Sequence, residues 1–332
     1  MRIGIDLGGT KSEIICLDPS GKELYRQRVP TPKGQYDETV KSLAGLVTQA
    51  EAVLGQTGTV GIGIPGTVSS VTGLVKNSNC TWINGKPLDR DLTNAMGREV
   101  RIQNDANCFT VSEATDGAGV GASVVFGVII GTGCGGGVVV NGRPLAGVNG
   151  IGGEWGHNPL PYPRSYAPSP ASVLDVFDNS LTVPEAIPAY FAETPEAAEY
   201  PGHLCYCGKR GCQETWISGT GLKNDYQRIT KTEMSTHDII AAAKTGEVKA
   251  SAALDRYTDR LARALSVVIN VLDPEIIVLG GGMSNVMSLY DEVPRLWGKY
   301  IFSDTVDTKL TPPRHGDSSG VRGAAWLWPK DA

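Results

Sequence analysis

Three times in this chain a short apolar run ends in a cluster of glycines. Residues 3–7 precede Gly8-Gly9-Thr10, residues 124–130 precede Gly131-Thr132-Gly133, and residues 276–279 precede Gly280-Gly281-Gly282. Apolar runs of this length, bounded by turn residues, suit buried strands. The first two clusters are followed by more strand-like sequence, at 13–17 and 138–140, so each reads as a hairpin and not as a strand-to-helix passage. The chain therefore reads as a weak duplication, with one hairpin in each of two lobes. Helical stretches lie between, at 38–54 and at 257–272. The latter places Tyr257, Leu261, Ala264, Leu265, Val268 and Leu272 on one stripe before Pro274 stops it. Alternating strands and helices predict an α/β architecture, and 332 residues are more than one core usually holds. The expected division is an N-terminal lobe over 1–118, onto which 312–332 folds back, and a C-terminal lobe over 119–311. A helix is expected near 323–328.

Composition narrows the classes. Glycine contributes 42 residues, unperiodic and clustered, which signals turns where backbone must approach something closely. With 30 basic against 35 acidic residues the net charge is −5, which disfavours a nucleic-acid partner. No apolar run approaches the roughly 18 residues of a membrane span, and Met1-Arg2-Ile3 starts directly in strand-like sequence. A soluble, cytoplasmic chain with no membrane partner is expected. From 159 to 201 the character shifts, with nine prolines and six acidic residues against the single Arg164. Its aromatics, among them Tyr162, Tyr166, Phe177, Tyr190, Phe191 and Tyr200, make it an insertion too aromatic for a plain disordered linker.

Glycine turns after buried strands expose backbone N–H groups without Cβ obstruction, and such nests bind phosphate oxygens. Thr10 and Thr132 add hydroxyl donors. Gly131 to Gly136 also fits G-x-G-x-x-G, a dinucleotide fingerprint that requires a following helix, whereas Val138-Val139-Val140 follows here. The Walker pattern is absent, since Lys11-Ser12 lacks the preceding glycine.

Asn104-Asp105-Ala106-Asn107 follows the strand-like 100–103 and places a carboxylate at the end of a buried element. Phosphoryl transfer needs such a group to accept the attacking hydroxyl's proton. A helix N-cap is the equal alternative for Asp105. Asp6, an acid inside an apolar run, is costly unless paired, hydrogen-bonded or facing a metal, and beside a phosphate turn it could place Mg²⁺.

Seven cysteines, three of them at Cys205, Cys207 and Cys212, favour a metal clip over a disulfide framework. Three thiolates suit tetrahedral, structural zinc that lacks a fourth ligand. Spacing alone favours the adjacent His203 over the remote His157. Glu154 and Glu214 flank the cluster and could face the cleft together, or could be two solvated surface acids.

Taken in order, these segments resemble the ROK family of sugar kinases, within the actin-like ATPase superfamily. The resemblance runs through Gly4-Ile5-Asp6-Leu7-Gly8-Gly9-Thr10-Lys11, Gly63-Ile64-Pro65-Gly66, Asn104 to Asn107, Gly131-Thr132-Gly133, Gly153-Glu154-Trp155-Gly156-His157, the cysteine cluster through Glu214, and Gly280-Gly281-Gly282. It covers nearly the whole chain outside about 162–200. Within the family the chain is most similar to bacterial fructokinases of the manno(fructo)kinase type, through Lys76 to Gly85, Gly156 to Pro161 and His315 to Trp326. N-acetylglucosamine kinases are similar too, less so around Trp82 and Asn158.

The resemblance implies a two-lobed actin-like (ribonuclease H-like) fold with a cleft between the lobes. It implies ATP-dependent transfer to a sugar's primary hydroxyl, here the 6-hydroxyl of fructose with mannose as a second substrate, and Asp105 as the general base. Gly66, Asn79, Asn104, Glu154, His157 and Glu214 fall with Asp105 where relatives bind the sugar. Asp6 falls at the nucleotide's magnesium, while Gly8, Gly9, Thr10, Lys11, Gly131, Thr132 and Gly133 fall on the phosphate hairpins. Gly281 and Gly282 fall near the adenosine. The family's zinc ligands match His157, Cys205, Cys207 and Cys212, so the resemblance selects His157 over His203, and it implies a homodimer. One imidazole nitrogen could then bind zinc while the other meets the sugar. Relatives have a shorter link than the 47 residues between His157 and Cys205 here, and the insertion is expected to form a lid over the sugar or a subunit contact.

The alternatives are an N-acetylglucosamine, N-acetylmannosamine or glucose kinase of the same family, an NAD-dependent oxidoreductase, and a non-catalytic sugar-sensing regulator. Family repressors carry a helix-turn-helix ahead of the first hairpin, which here begins by Gly4.

Overall fold

The computed structural model of the chain describes residues 1–166 and 194–329. Its first sheet contains β1 (Arg2–Leu7), β2 (Lys11–Leu17), β3 (Glu23–Pro30) and β4 (Thr59–Ile64). A small ribbon of β5 (Thr67–Val68) and β6 (Val75–Lys76) follows, and β7 (Val100–Asn104) completes the sheet in the order β3-β2-β1-β4-β7. The second sheet contains β8 (Val124–Ile130), β9 (Cys134–Val140), β10 (Arg143–Pro144), β11 (Ile276–Gly280) and β12 (Lys309–Thr311), ordered β10-β9-β8-β11-β12. Each sheet opens with an antiparallel hairpin, β1–β2 or β8–β9, and adds its last two strands in parallel. The duplication expected from the glycine clusters is therefore a duplication of topology. Because Gly131 to Gly136 turns from β8 directly into antiparallel β9, the strand-to-helix context of a dinucleotide fingerprint is not present there.

The long apolar stripe forms the helix Val248–Leu272, which starts well before Tyr257. Glu247 caps it, accepting the N–H groups of Lys249 and Ala250, so the polar first turns need no stripe of their own. The helix Tyr36–Leu54 ends at Gly55, whose φ of 65° closes the last turn at no steric cost. The C-terminal helix spans Ser319–Ala325, ahead of the 323–328 expected, and Trp326 terminates it with its indole N–H donating to Asp116 at 3.1 Å.

Two helices join the lobes. Asp105–Thr115, which follows β7, lies against β8 and β9, and Ser319–Ala325 lies against β1, β2 and β4. Bare backbone permits both approaches: a Cβ on Gly4 would collide with the Val321 carbonyl, and one on Gly127 would collide with the Thr110 hydroxyl. The helices cross where Gly323 meets the Cys108 carbonyl. Around the crossing Ile15, Phe109, Val125, Val139, Val278 and Val321 form a third apolar core, between the separate cores of the two sheets.

The insertion leaves the C-terminal sheet's side through a paired neck. Arg164 N–H donates to the Glu199 carboxylate at 2.9 Å, and Glu199 N–H returns to the Arg164 carbonyl at 2.7 Å. The Glu199 carboxylate is buried between Arg260 and Arg263, 2.7 Å from each. Burial alone would raise its pKa, but the hydrogen bonds and charges of the two arginines outweigh that and hold it at about 2. Residues 167–193 lie outside the described residues, and with them Phe177, Tyr190, Phe191 and the body of the expected lid or subunit contact. Among the described residues no helix is long and apolar enough to cross a membrane.

Candidate active site

β7 ends at Asn104, and the helix Asp105–Thr115 begins at once. Asn104 is its N-cap, its side-chain oxygen accepting from the N–H groups of Ala106 at 2.9 Å and Asn107 at 3.4 Å. The cap role that was an alternative for Asp105 thus belongs to its neighbour. Asn104 also donates to the Gly66 carbonyl at 3.2 Å, which ties the strand end to the loop after β4. Asp105 is the first helical residue, with one carboxylate oxygen accepting the Ala106 N–H at 2.8 Å. Burial, and then the charge of Glu154, raise its pKa, while the Ala106 N–H opposes them.

Glu154 and His157 are placed by Trp155, the first of the two residues between them. Trp155 is buried, packs edge-on against Phe126 at 5.6 Å and donates to the Gly135 carbonyl at 3.1 Å. With that indole fixed, the short turn Trp155–His157 leaves Glu154 and His157 at the rim. Glu214 begins the helix Glu214–Ile217 and accepts the Cys134 N–H at 2.9 Å, joining the cysteine segment to the start of β9.

A cleft of about 720 Å³ gathers these groups: Gly66, Asn79, Asn104, Asp105, Glu154, His157 and Glu214 all line it, with Gly131, Thr132 and Gly133. A second cavity of about 300 Å³ is lined by Asp6, Gly8, Gly9 and Gly281, and it shares Asn79 and Asp105 with the first. A third, of about 590 Å³, shares Gly131 and Thr132 with the first and adds Gly282 and the more apolar wall of Ile240, Met283 and Val286. Asp105 therefore stands on the wall between the first and second cavities, and Thr132 between the first and third. Thr10 and Lys11 are exposed at the tip of the first hairpin.

Burial pushes Asp6 up to about 7, helped by the carboxylates of Asp105 and Glu13 and opposed by Arg28. Asp6 and Asp105 line the second cavity together, and a divalent cation held there would favour their charged forms. The second candidate centre is also assembled. One atom each of His157, Cys205, Cys207 and Cys212 lies within 4.8 Å of the others. Cys207 and Cys212 sulfurs are 3.5 Å apart and Cys205 Sγ is 3.7 Å from His157 Nδ1, close to the roughly 3.8 Å edges of a zinc tetrahedron with sulfurs at about 2.3 Å. His203 stands apart, its ring 4.3 Å from Trp216 and its buried Nε2 without a partner. Tyr206, between two of the cysteines, was not singled out in the sequence. Its hydroxyl is 3.0 Å from His157 Nε2, and it lines the main cleft.

The sequence pattern of the ROK family matches residues 2–331. The chain belongs to the ROK family. It is 38% identical over 327 residues to the N-acetyl-D-glucosamine kinase of Pectobacterium atrosepticum, covering 98% of each chain. The same identity relates it to the N-acetyl-D-glucosamine kinase of Vibrio cholerae, over 98% of this chain and 99% of that one. Among solved structures, the ROK hexokinase of Thermus thermophilus superposes with a TM-score of 0.79 at 28% identity, over 98% and 97% of the two chains. The duplicated sheets, crossing helices and shared cleft are accordingly the two-lobed actin-like ATPase fold.

Proposed function

We propose that this ROK protein is an ATP-dependent sugar kinase that phosphorylates the 6-hydroxyl of N-acetyl-D-glucosamine. The observation that carries the reading is the position of Asp105 on the wall shared by the two cavities, one lined by sugar-compatible polar groups and the other by the glycines of the first hairpin. The aminosugar is favoured over fructose because the 38%-identical relatives are N-acetyl-D-glucosamine kinases along their whole length. One of the three segments that suggested fructose is used largely in packing. In residues 76–85, Trp82 donates to Thr39 at 3.2 Å, Ile83 and Cys80 are buried in the N-terminal core, and Ser78 and Asn84 brace each other. Those residues pack the loop that presents Asn79 to the cleft, so their similarity to fructokinases is accounted for by packing.

In this reading the sugar lies against Asn79, Asn104, Glu154, His157 and Glu214, which orient its hydroxyls. Asp105 accepts the 6-hydroxyl proton as that oxygen attacks the γ-phosphorus in line; the bond to the β,γ-bridging oxygen breaks and ADP leaves. Gly8 and Gly131 close the two turns with their own N–H groups, leaving those of Gly9 and of Thr132-Gly133 to receive the phosphates, and Gly281 and Gly282 border the adenosine. A magnesium ion held near Asp6 would neutralise charge on the phosphoryl oxygens. Zinc held by His157, Cys205, Cys207 and Cys212 would be structural, pinning His157 and Glu214 to one wall.

The test is Mg·ATP-dependent ADP release against N-acetylglucosamine, N-acetylmannosamine, glucose, fructose, mannose and no sugar. The highest kcat/KM is expected with N-acetylglucosamine. A higher value with fructose would reverse the specificity, and no sugar-dependent turnover would overturn the kinase reading.

A further inference from the structure

In the assembled cluster His157 turns Nδ1 toward the Cys205 sulfur, at 3.7 Å, and Nε2 toward the Tyr206 hydroxyl, at 3.0 Å. With zinc bound, Nδ1 would have to offer its lone pair to the metal, which would put the ring's single proton on Nε2. That N–H would be the only hydrogen bond the imidazole has to give, and the Tyr206 oxygen stands where it would be received. The two rings meet edge to face at 5.1 Å and 84°. Tyr206 is otherwise 83% exposed, so little besides this contact holds it in place. Both residues line the main cleft with Glu154 and Glu214.

We propose that Tyr206 is a built-in competitor at the sugar site, its hydroxyl taking in the sugar-free cleft the hydrogen bond that His157 donates to a sugar hydroxyl when substrate is bound. The inference rests on the sugar-kinase reading and on His157 as a sugar ligand. Its consequence has a definite sign. Binding requires the His157–Tyr206 bond to break before the His157–sugar bond forms, so the tyrosine weakens affinity by the net worth of one exposed hydrogen bond. A residue that contacted the sugar directly, or merely braced the fold, would have the opposite effect or none.

The experiment is calorimetric titration of the zinc-loaded protein with N-acetylglucosamine, without nucleotide, for the parent, Tyr206→Phe and Tyr206→Ala. Zinc content is measured in each to show that His157 remains at the metal. Tyr206→Phe keeps the ring and removes only the hydroxyl, and the Kd is expected to fall about two- to tenfold. Tyr206→Ala removes the ring as well and is expected to bind more tightly than the parent, which guards against a phenyl ring that settles over the imidazole. An unchanged or higher Kd in both variants overturns the proposal while leaving the kinase reading intact. If the parent neither binds nor phosphorylates any sugar of the panel, the kinase reading fails and this inference fails with it.

Discussion

The hairpins β1–β2 and β8–β9 hold the same place in their sheets, each antiparallel within itself and each with a parallel strand on its other side. Two residues before the first turn glycine, however, β1 carries Asp6 and β8 carries Ile129. Asp6 sits in register with Glu13 and Gly63, and Ile129 with Gly135 and Gly280. The repeated frame provides backbone cradles twice, while the costly half-buried carboxylate is kept once. Asp105 belongs to the same half, at the end of β7, whereas the acids contributed by the other half come from a short turn, Glu154, and from the start of a one-turn helix, Glu214. A repeated fold thus fixes where a phosphate can rest without fixing where charge must stand.

That asymmetry is broken most severely at Asp105. Asp105→Asn keeps the shape of the helix start and removes the proton acceptor, so kcat should fall about 10²- to 10⁴-fold, with sugar affinity retained in calorimetry. A kcat near the parent value would show that the first half carries no base and that the acids at the rim do the chemistry.

The next effect is on stability and tests the symmetric part. Gly4 and Gly127 each let a crossing helix approach its sheet, but the obstacle to an added methyl differs. At Gly127 it is chiefly the Thr110 hydroxyl, which Thr110→Ala removes; at Gly4 it is the Val321 carbonyl and the Ala325 backbone. Each Gly→Ala change should cost about 1–3 kcal/mol in urea unfolding, with Gly4→Ala the greater. Gly127→Ala with Thr110→Ala should recover part of its loss in a double-mutant cycle, and Gly4→Ala has no such rescue. Equal losses with no coupling at Thr110 would mean that the two crossings are not built as described.

The symmetric frame was legible in the sequence because buried strands and glycine turns leave a local mark. Thus β8 spans the expected 124–130 and β1 differs from 3–7 by one residue. What depends on residues distant in sequence was not legible. His157 and the cysteines are far apart in the chain, so spacing pointed to His203, and only the family resemblance selected the residue that the fold brings to the cluster. Tyr206 passed unnoticed because an exposed tyrosine between two cysteines gives no periodic signal. The Glu199–Arg260–Arg263 clamp was hidden for the same reason, since a lone acid in a proline-rich stretch resembles a solvated one until its partners are folded around it.

The smallest effect separates the two hairpins by pH. Asp6 has a folded pKa of about 7 against roughly 3.9 in an unfolded chain, so between those values the folded protein binds the extra proton. Stability should therefore fall as pH rises through this window, by no more than about 1.4 kcal/mol per unit, and level off above about 7. Magnesium that neutralises the ionised carboxylate would flatten the slope. Glu199 has the opposite sign. Its folded pKa of about 2 lies below the unfolded value, so its contribution is complete above about 4.5 and is lost as pH falls toward 2. Urea midpoints across pH in magnesium-free buffer would show both limbs. Asp6→Asn should shrink the upper limb, leaving the part owed to Asp105, and should spare the acid limb. Ile129→Val, at the matching position of the second hairpin, should lower stability by about 0.5–1.5 kcal/mol at every pH and change neither slope. If it altered the upper limb as Asp6→Asn does, the titrating carboxylate would not be the feature that distinguishes the two hairpins.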